Sequence, residues 1–347
     1  MRAWRVVQKG SPRKALELQD VALPDPAAGQ LRVRTSATAL NFNEIDGCYG
    51  RYRTVDPALP YTLGMEAVGE VDAAGPGLEG WIGRRVATTG LGATGAHAEW
   101  VLGDANMSFE SPASLSDVEA AAFFFPFHVA YLSVFERGHL REGETLLVHA
   151  AAGGVGSAAL QLGVASGARV FATAGGAEKV AFCKELGAEL AIDYRSEDFA
   201  PAVLEATGGR GVDVVCDLVG GEVTTQSFRC IAFGGRHMMT GFSGGIEAED
   251  EGGLVPRPIL FGNFSVGGVL MAYGESPRGG PMQVNLVPRA VGEAIQARLV
   301  EWLEAGRIRP LVGRVADYRE IVDEYERMEA RATMGRSILR WREDEAR

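Results

Sequence analysis

The chain has 347 residues, 46% of them hydrophobic and 23% charged, too long for one ordinary core, since single cores stop growing at about 250–300 residues. Its 46 glycines carry no triplet repeat and read as tight turns and close backbone approaches. The net charge of −11 argues against a nucleic-acid partner, which needs a basic face, while leaving room for a local pocket for one small anion.

Cys48, Cys183, Cys216 and Cys230 lie far apart without metal-ligand spacing, as suits reduced thiols in a cytoplasmic enzyme. The start, Met1-Arg-Ala-Trp-Arg-Val-Val, lacks the parts of a signal peptide. No apolar run approaches about 18 residues, so no membrane partner is expected.

In chain order, the first third is β-rich. Short apolar runs such as Leu31–Thr35, Ala67–Val71 and Arg84–Thr88 are separated by Gly, Pro and Asp turns. Asp117-Val-Glu-Ala-Ala-Ala begins a capped helix that Pro126 should kink or end. From Glu144 to Met239 strands and helices alternate: strands at 145–149, 169–173, 190–193 and 212–217, with helices at 157–166, 177–186 and 198–206 between them. Such alternation predicts a doubly wound parallel sheet. A long Gly/Glu/Pro loop is expected over Phe242–Arg257, then a strand within Phe264–Met271 and an amphipathic helix over Leu286–Gly306. A strand from Arg314, a helix at Tyr318–Arg331 and a last strand at Ser337–Trp341 close the chain.

The sharpest motif is Val148-His-Ala-Ala-Ala-Gly-Gly-Val-Gly156, between an apolar strand and a helix. Gly153 and Gly156 stand at the second and third glycine places of a G-x-G-x-x-G turn, with Ala151 at the first. The second glycine admits a pyrophosphate against the backbone, and the third packs helix on strand. The helix start then offers free amides and a positive dipole end. Ala152, Gly153, Gly154, Val155 and Gly156 are therefore the candidate phosphate cradle, with Thr173 at the end of the next strand. That strand ends Ala172-Thr-Ala-Gly-Gly-Ala177, without the acid that NAD sites place there. Lys179 follows, a cation for a 2′-phosphate or simply a solvated helix residue beside Glu178.

Ala150–Gly156, Leu186-Gly-Ala188, Ile192-Asp-Tyr194 and Asn41-Phe-Asn-Glu44 together resemble the zinc-free quinone oxidoreductase branch of the medium-chain dehydrogenase/reductase superfamily. The resemblance covers Leu31 to Leu339. It implies an α/β fold with a GroES-like β-rich catalytic domain (1–121 and 273–347) and a Rossmann doubly wound parallel-sheet domain (122–272), with NADPH between them. It further implies that Lys179, Tyr194 and Arg331, the last in Arg331-Ala-Thr-Met-Gly335, contact the adenosine phosphate. Surface packing is the other reading of Tyr194 and Arg331. A homodimer joined through the strand within Phe264–Met271 is also implied.

Zinc-dependent relatives carry a Cys near the start, a Gly-His-Glu motif and a clustered Cys site. Here Asn41-Phe-Asn-Glu44 has no Cys, Met65 replaces the His, and no Cys cluster lies between Gly83 and Phe109. With about three protein ligands needed, no metal is expected, and hydrogen bonds must stabilise a developing oxyanion. That favours quinones, enones or enoyl thioesters over simple alcohols.

The resemblance places Asn41 beside the nicotinamide and Tyr52 near the acceptor, where its hydroxyl could donate a proton or hydrogen bond. Asn41 as a turn cap and Tyr52 as a loop aromatic remain the plain alternatives. His128, in Phe123-Phe-Phe-Pro-Phe-His-Val-Ala-Tyr131, stands where relatives have Thr; it is either a donor to the acceptor or, more ordinarily, a pocket-wall histidine. His149 and His97 read as structural. Gly241, Phe242 and Ser243 follow a Rossmann strand, where ligand loops sit. The expected activity is hydride or electron transfer from NADPH to a quinone or related conjugated carbonyl. An enoyl-thioester or alkenal reductase, or a cofactor-binding sensor with little turnover, are the alternatives.

Overall fold

The computed structural model describes residues 1–51, 56–245, 253–279 and 283–342. It forms two compact units: Met1–Phe125 with Ala272–Glu301 and Pro310–Arg347, and Pro126–Met271 with Trp302–Arg309.

In the first unit, Gln30–Ala39 is the central strand of a seven-stranded sheet among the described residues. Alternate side chains point inward; Leu31 and Val33 pack with Val71, Val86 and Val101. One flank pairs antiparallel with Glu66–Ala74. The other is shared by Trp100–Asp104 and Arg336–Arg340, so a C-terminal strand completes an N-terminal sheet. Register shifts after Arg32 and Thr35 bend the central strand, as bulges do. A second core gathers Trp4, Ile45, Tyr318, Ile321, Tyr325 and Trp341.

Among its described residues the second unit contains six parallel strands: β1 (Thr145–Val148), β2 (Arg169–Ala174), β3 (Leu190–Asp193), β4 (Val212–Asp217), β5 (Ile231–Met239) and β6 (Ser265–Gly268). Their order is β3-β2-β1-β4-β5-β6. Helices α1 (Gly154–Ala165), α2 (Ala177–Glu185) and α3 (Phe199–Ala206) make the first connections. Every residue of β1 and β4 is buried, as in parallel strands covered on both faces. Strand order reverses between β1 and β4, and ligands of such sheets bind beyond the carboxyl ends there.

Three expectations are corrected. Pro126 does not end its helix, which runs from Asp117 to Tyr131 and continues as a π-helix to Arg137. A helix-interior proline costs about 3 kcal/mol. Phe123, Phe124 and Phe127 are all buried, at about 1.5–3 kcal/mol each, and outweigh it. The combined 21-residue helix is also long and apolar enough to cross a membrane by length and composition, contrary to the run-length expectation, but 78% of its apolar window is buried inside the protein. Counting unbroken apolar residues missed it because Glu119, His128 and Ser133 interrupt the run. Finally, the loop expected to reach Arg257 gives way at Pro256 to a short helix, Pro256–Gly262, whose first position suits proline's fixed φ.

Candidate functional site

Beyond β1 the chain turns through 149–153, with Ala150 at φ 51° and Gly153 as the N-cap of α1. Gly153 N donates to Ala150 O (3.0 Å) and Ala151 N to Thr173 O (3.0 Å), tying the turn to β2. The first helical bond is Ser157 N to Gly153 O (2.9 Å). The amides of Gly154, Val155 and Gly156 are therefore left without a hydrogen-bond partner among the described residues, as at any helix start, and the helix dipole adds to their positive field. A Cβ on Gly156 would lie 2.3 Å from Ala150 O and 2.8 Å from Ala151 Cα, so this glycine sets the helix against the turn. A Cβ on Gly153 would meet only Ala150 O, at 3.3 Å, so the space in front of it is open. The residues present thus fit a pyrophosphate.

Behind the turn, His149 is buried, with Nδ1 2.9 Å from Thr173 Oγ1 and Nε2 2.8 Å from Ser227 Oγ. Burial pushes its pKa down to about 4, so it is neutral at pH 7. Thr173, a candidate cofactor contact, is itself buried, with its hydroxyl on His149.

At the far end of β2 the backbone passes through Gly175 and Gly176. Asp193, the last residue of β3, accepts from Gly176 N (2.9 Å) and Arg195 N (3.0 Å) through one oxygen, Oδ1. These amides, that of Gly176 first, hold its carboxyl below the usual range. Tyr194 is 51% exposed, and Lys179 is half-buried in the first turn of α2. A Cβ on Gly175 would stand 2.6 Å from the Tyr194 hydroxyl and 2.9 Å from Arg195 Nε. The phenol and the guanidinium therefore both lie over this glycine turn. Sequence reasoning named Tyr194 and passed over its neighbour.

Beyond β4 and β5, Gly241 N donates to Asp217 O (3.1 Å) and Ser243 N to Leu218 O (3.0 Å). A Cβ on Gly220 would lie 3.2 Å from Phe242 Cδ1, so Gly241, Phe242 and Ser243 form one double loop with 218–220. The Asp217 carboxylate braces it, accepting from Val219 N (2.9 Å) and Gly220 N (3.0 Å), with His237 Nε2 at 3.1 Å. Burial opposes the charge on Asp217, yet His237, His149 and Thr224 hold its pKa well below the usual range. His128 is fully buried in its helix.

In the first unit, Asn41 is the N-cap of the helix Phe42–Tyr49 and is buried. Both ends of its amide are engaged. Oδ1 accepts from Arg336 Nη1 (3.0 Å), while Nδ2 donates to Glu66 Oε1 (3.2 Å) and Ala39 O (3.3 Å). Arg336 Nη2 also donates to Glu66. Burial pushes the Glu66 carboxyl up to about 7, against the attraction of Arg336. Below this lies Glu44, which accepts from Asn41 N (2.8 Å), Met65 N (2.7 Å) and the Tyr325 hydroxyl (2.7 Å). Burial opposes its charge, but His97, whose Nε2 is 3.4 Å away, and these donors keep its pKa low. Arg331 sits at φ 55°, its guanidinium 4.3 Å from the centroid of the Phe42 ring. Tyr52 lies outside the described residues.

Sequence reasoning found Asn41 but missed Glu66 and Arg336 as its partners; the only signal was a buried-strand acid and a basic residue at the start of the last strand. These residues do not fit zinc. Arg336 occupies the open side of Glu66, and no group of three or more His, Cys, Asp or Glu among the described residues could hold a metal ion.

Residues 27–113 match the family described as the alcohol dehydrogenase GroES-like domain, and residues 154–280 that described as zinc-binding dehydrogenase. The chain is 30% identical over 344 residues to the mouse synaptic vesicle membrane protein VAT-1 homolog, covering 95% of this chain and 81% of that protein. It is 38% identical over 228 residues to a phenolphthiocerol/phthiocerol polyketide synthase subunit of Mycobacterium tuberculosis; the match takes in 65% of this chain but spans only 10% of that relative's length. Among solved structures, a mycobacterial protein complexed with NADPH superposes with a TM-score of 0.83 at 26% identity, covering 98% of this chain and 99% of that one. A quinone oxidoreductase of Pseudomonas syringae pv. Tomato gives a TM-score of 0.81 at 27% identity, covering 98% and 99%.

Proposed function

Since this chain belongs to the medium-chain dehydrogenase/reductase superfamily, in its quinone oxidoreductase branch, we propose that it is an NADPH-dependent reductase of quinones and related conjugated carbonyls. One observation carries this reading: three unbonded amides, of Gly154, Val155 and Gly156, open the helix that follows β1, next to a β2 that runs into Gly175-Gly176 rather than an acid. NADPH supplies a hydride when bound. Gly153 leaves the pyrophosphate room, and the α1 amides hold it. Lys179, Tyr194 and Arg331 bind the adenosine phosphate. Gly241, Phe242 and Ser243 border the nicotinamide ribose, their loop braced by Asp217.

Asn41 orients the nicotinamide side as a fixed amide, because Arg336 and Glu66 hold both its ends. With no metal to take up negative charge on the acceptor oxygen, hydrogen-bond donors do so; Tyr52 and His128 are the candidates. We assign the cofactor to 122–272 and the acceptor side to 1–121 and 273–347, and place the enzyme in the cytoplasm. The homodimer reading is supported by β6 at a sheet edge among the described residues, with Leu260 and Phe261 72% and 75% exposed in the helix before it. Light scattering that returned the 36.9 kDa monomer mass at working concentration would remove it.

The similarity to polyketide synthase segments favours a second reading, an enoyl-thioester reductase. NADPH oxidation measured against a quinone, an enone and an enoyl-CoA decides between them. Fastest turnover with the quinone supports the first reading, and with the enoyl-CoA the second. Tight NADPH binding with no turnover on any of the three overturns both in favour of a sensor.

A further inference from the structure

Arg195 follows Tyr194 directly, and its side chain is exposed. Its Nε would lie 2.9 Å from a Cβ on Gly175, and its Nη1 3.4 Å from a Cβ on Gly176. The guanidinium thus lies along the bend that carries β2 into α2. Its backbone is fixed there: Asp193 Oδ1 accepts both the Arg195 amide and the Gly176 amide, so one carboxylate oxygen sets the loop against the turn. Among the described residues the guanidinium itself makes no hydrogen bond or ion pair closer than the field of Asp193. Five N–H donors in a planar fork therefore face solvent beside a turn with no acid in it.

We propose that Arg195 is a specificity-determining residue for the phosphorylated cofactor, its guanidinium pairing with the 2′-phosphate on the adenosine ribose. The inference rests on the NADPH reading above and adds a residue to it. A planar fork matches a phosphate in two hydrogen bonds, which a single lysine does not. Tyr194 lies over the same glycine, and the nearby acid Asp193 has Oδ1 turned toward the Gly176 and Arg195 amides. Gly175 is part of the device: its φ is ordinary for any residue, so what its missing side chain provides is the space that the phenol and guanidinium occupy.

The test is calorimetric binding of NADPH and NADH, and of adenosine 2′,5′-bisphosphate and 5′-AMP, to the parent protein, Arg195→Gln, Arg195→Lys and Gly175→Ala. Arg195→Gln should weaken NADPH and the bisphosphate about tenfold, the scale of a charge-assisted bond in water, and leave NADH and AMP unchanged. Arg195→Lys should recover part of the loss. Gly175→Ala should weaken the phosphorylated ligands in the same selective way. The parent's preference should also shrink as salt is raised. An Arg195→Gln protein with the parent's NADPH-to-NADH ratio overturns the assignment while leaving NADPH use standing. A parent that binds NADH as tightly as NADPH overturns both. Thermal melting checks the fold of each variant: it is expected unchanged for the exposed Arg195, and at the buried Gly175 the new methyl meets the ends of the exposed Tyr194 and Arg195 side chains rather than backbone.

Discussion

Arg336 donates to the Asn41 side-chain oxygen at 3.0 Å across 295 residues of sequence, and the same guanidinium meets Glu66. A residue at the start of the last strand thus orients an amide at the end of the central strand. All three side chains are buried. Replacing Arg336 with Met leaves Glu66 without its cationic partner and the Asn41 oxygen without its donor, and losing one partner of a buried pair costs about 3–5 kcal/mol. Urea unfolding should show that loss for Arg336→Met. The double variant Arg336→Met/Glu66→Gln should regain much of it, because no isolated carboxylate remains. Equal stability of the single and double variants would mean that the charge pairing is unimportant.

Gly153 and Gly156 should part company when each becomes alanine. At Gly156 the new methyl meets backbone at 2.3 Å, so α1 must move and both stability and cofactor affinity should fall. At Gly153 the neighbour is at 3.3 Å and the backbone is extended, so the fold should hold while the methyl enters the space in front of the turn. Melting temperature and NADPH affinity, measured on both variants, separate the two roles. An unaltered affinity in Gly153→Ala would remove the pyrophosphate from this turn.

The buried His149 makes stability depend on pH. Its folded pKa, about 4, lies below the ordinary 6.5, so the unfolded chain binds the proton more readily between these values. Its contribution is whole above about pH 6.5 and is lost as the pH falls toward 4. Over pH 7.5 to 4.5 the linkage amounts to about 2–3 kcal/mol. His149→Asn, which keeps a polar group near Thr173, should show a stability curve flatter than the parent's by about that much. Parallel curves would show that His149 does not titrate with unfolding.

His128 divides the two readings left open by its neighbours. It is fully buried in a helix. If it donates to the acceptor, His128→Ala should slow single-turnover hydride transfer at least tenfold with NADPH affinity intact. An unchanged rate makes it a wall residue.

Much of the second unit was legible in the sequence because its information is local. Apolar runs alternating with helical segments specify a parallel sheet, and Gly153 and Gly156 mark a turn whose geometry depends on neighbours only a few residues away. The order β3-β2-β1-β4-β5-β6 is one of the doubly wound orders that this alternation permits. The helix does not end at Pro126 for the converse reason: a local rule about where proline stops a helix lost to burial of three phenylalanines, which the local pattern does not count. What only the tertiary structure decided is who meets whom. Arg336 reaches Asn41 because two strands distant in sequence pair in one sheet, and Arg195 comes to the Gly175 turn because β2 and β3 lie side by side in register. Turn chemistry is written in adjacent residues, whereas buried pairing follows from chain topology, which no short stretch of sequence contains.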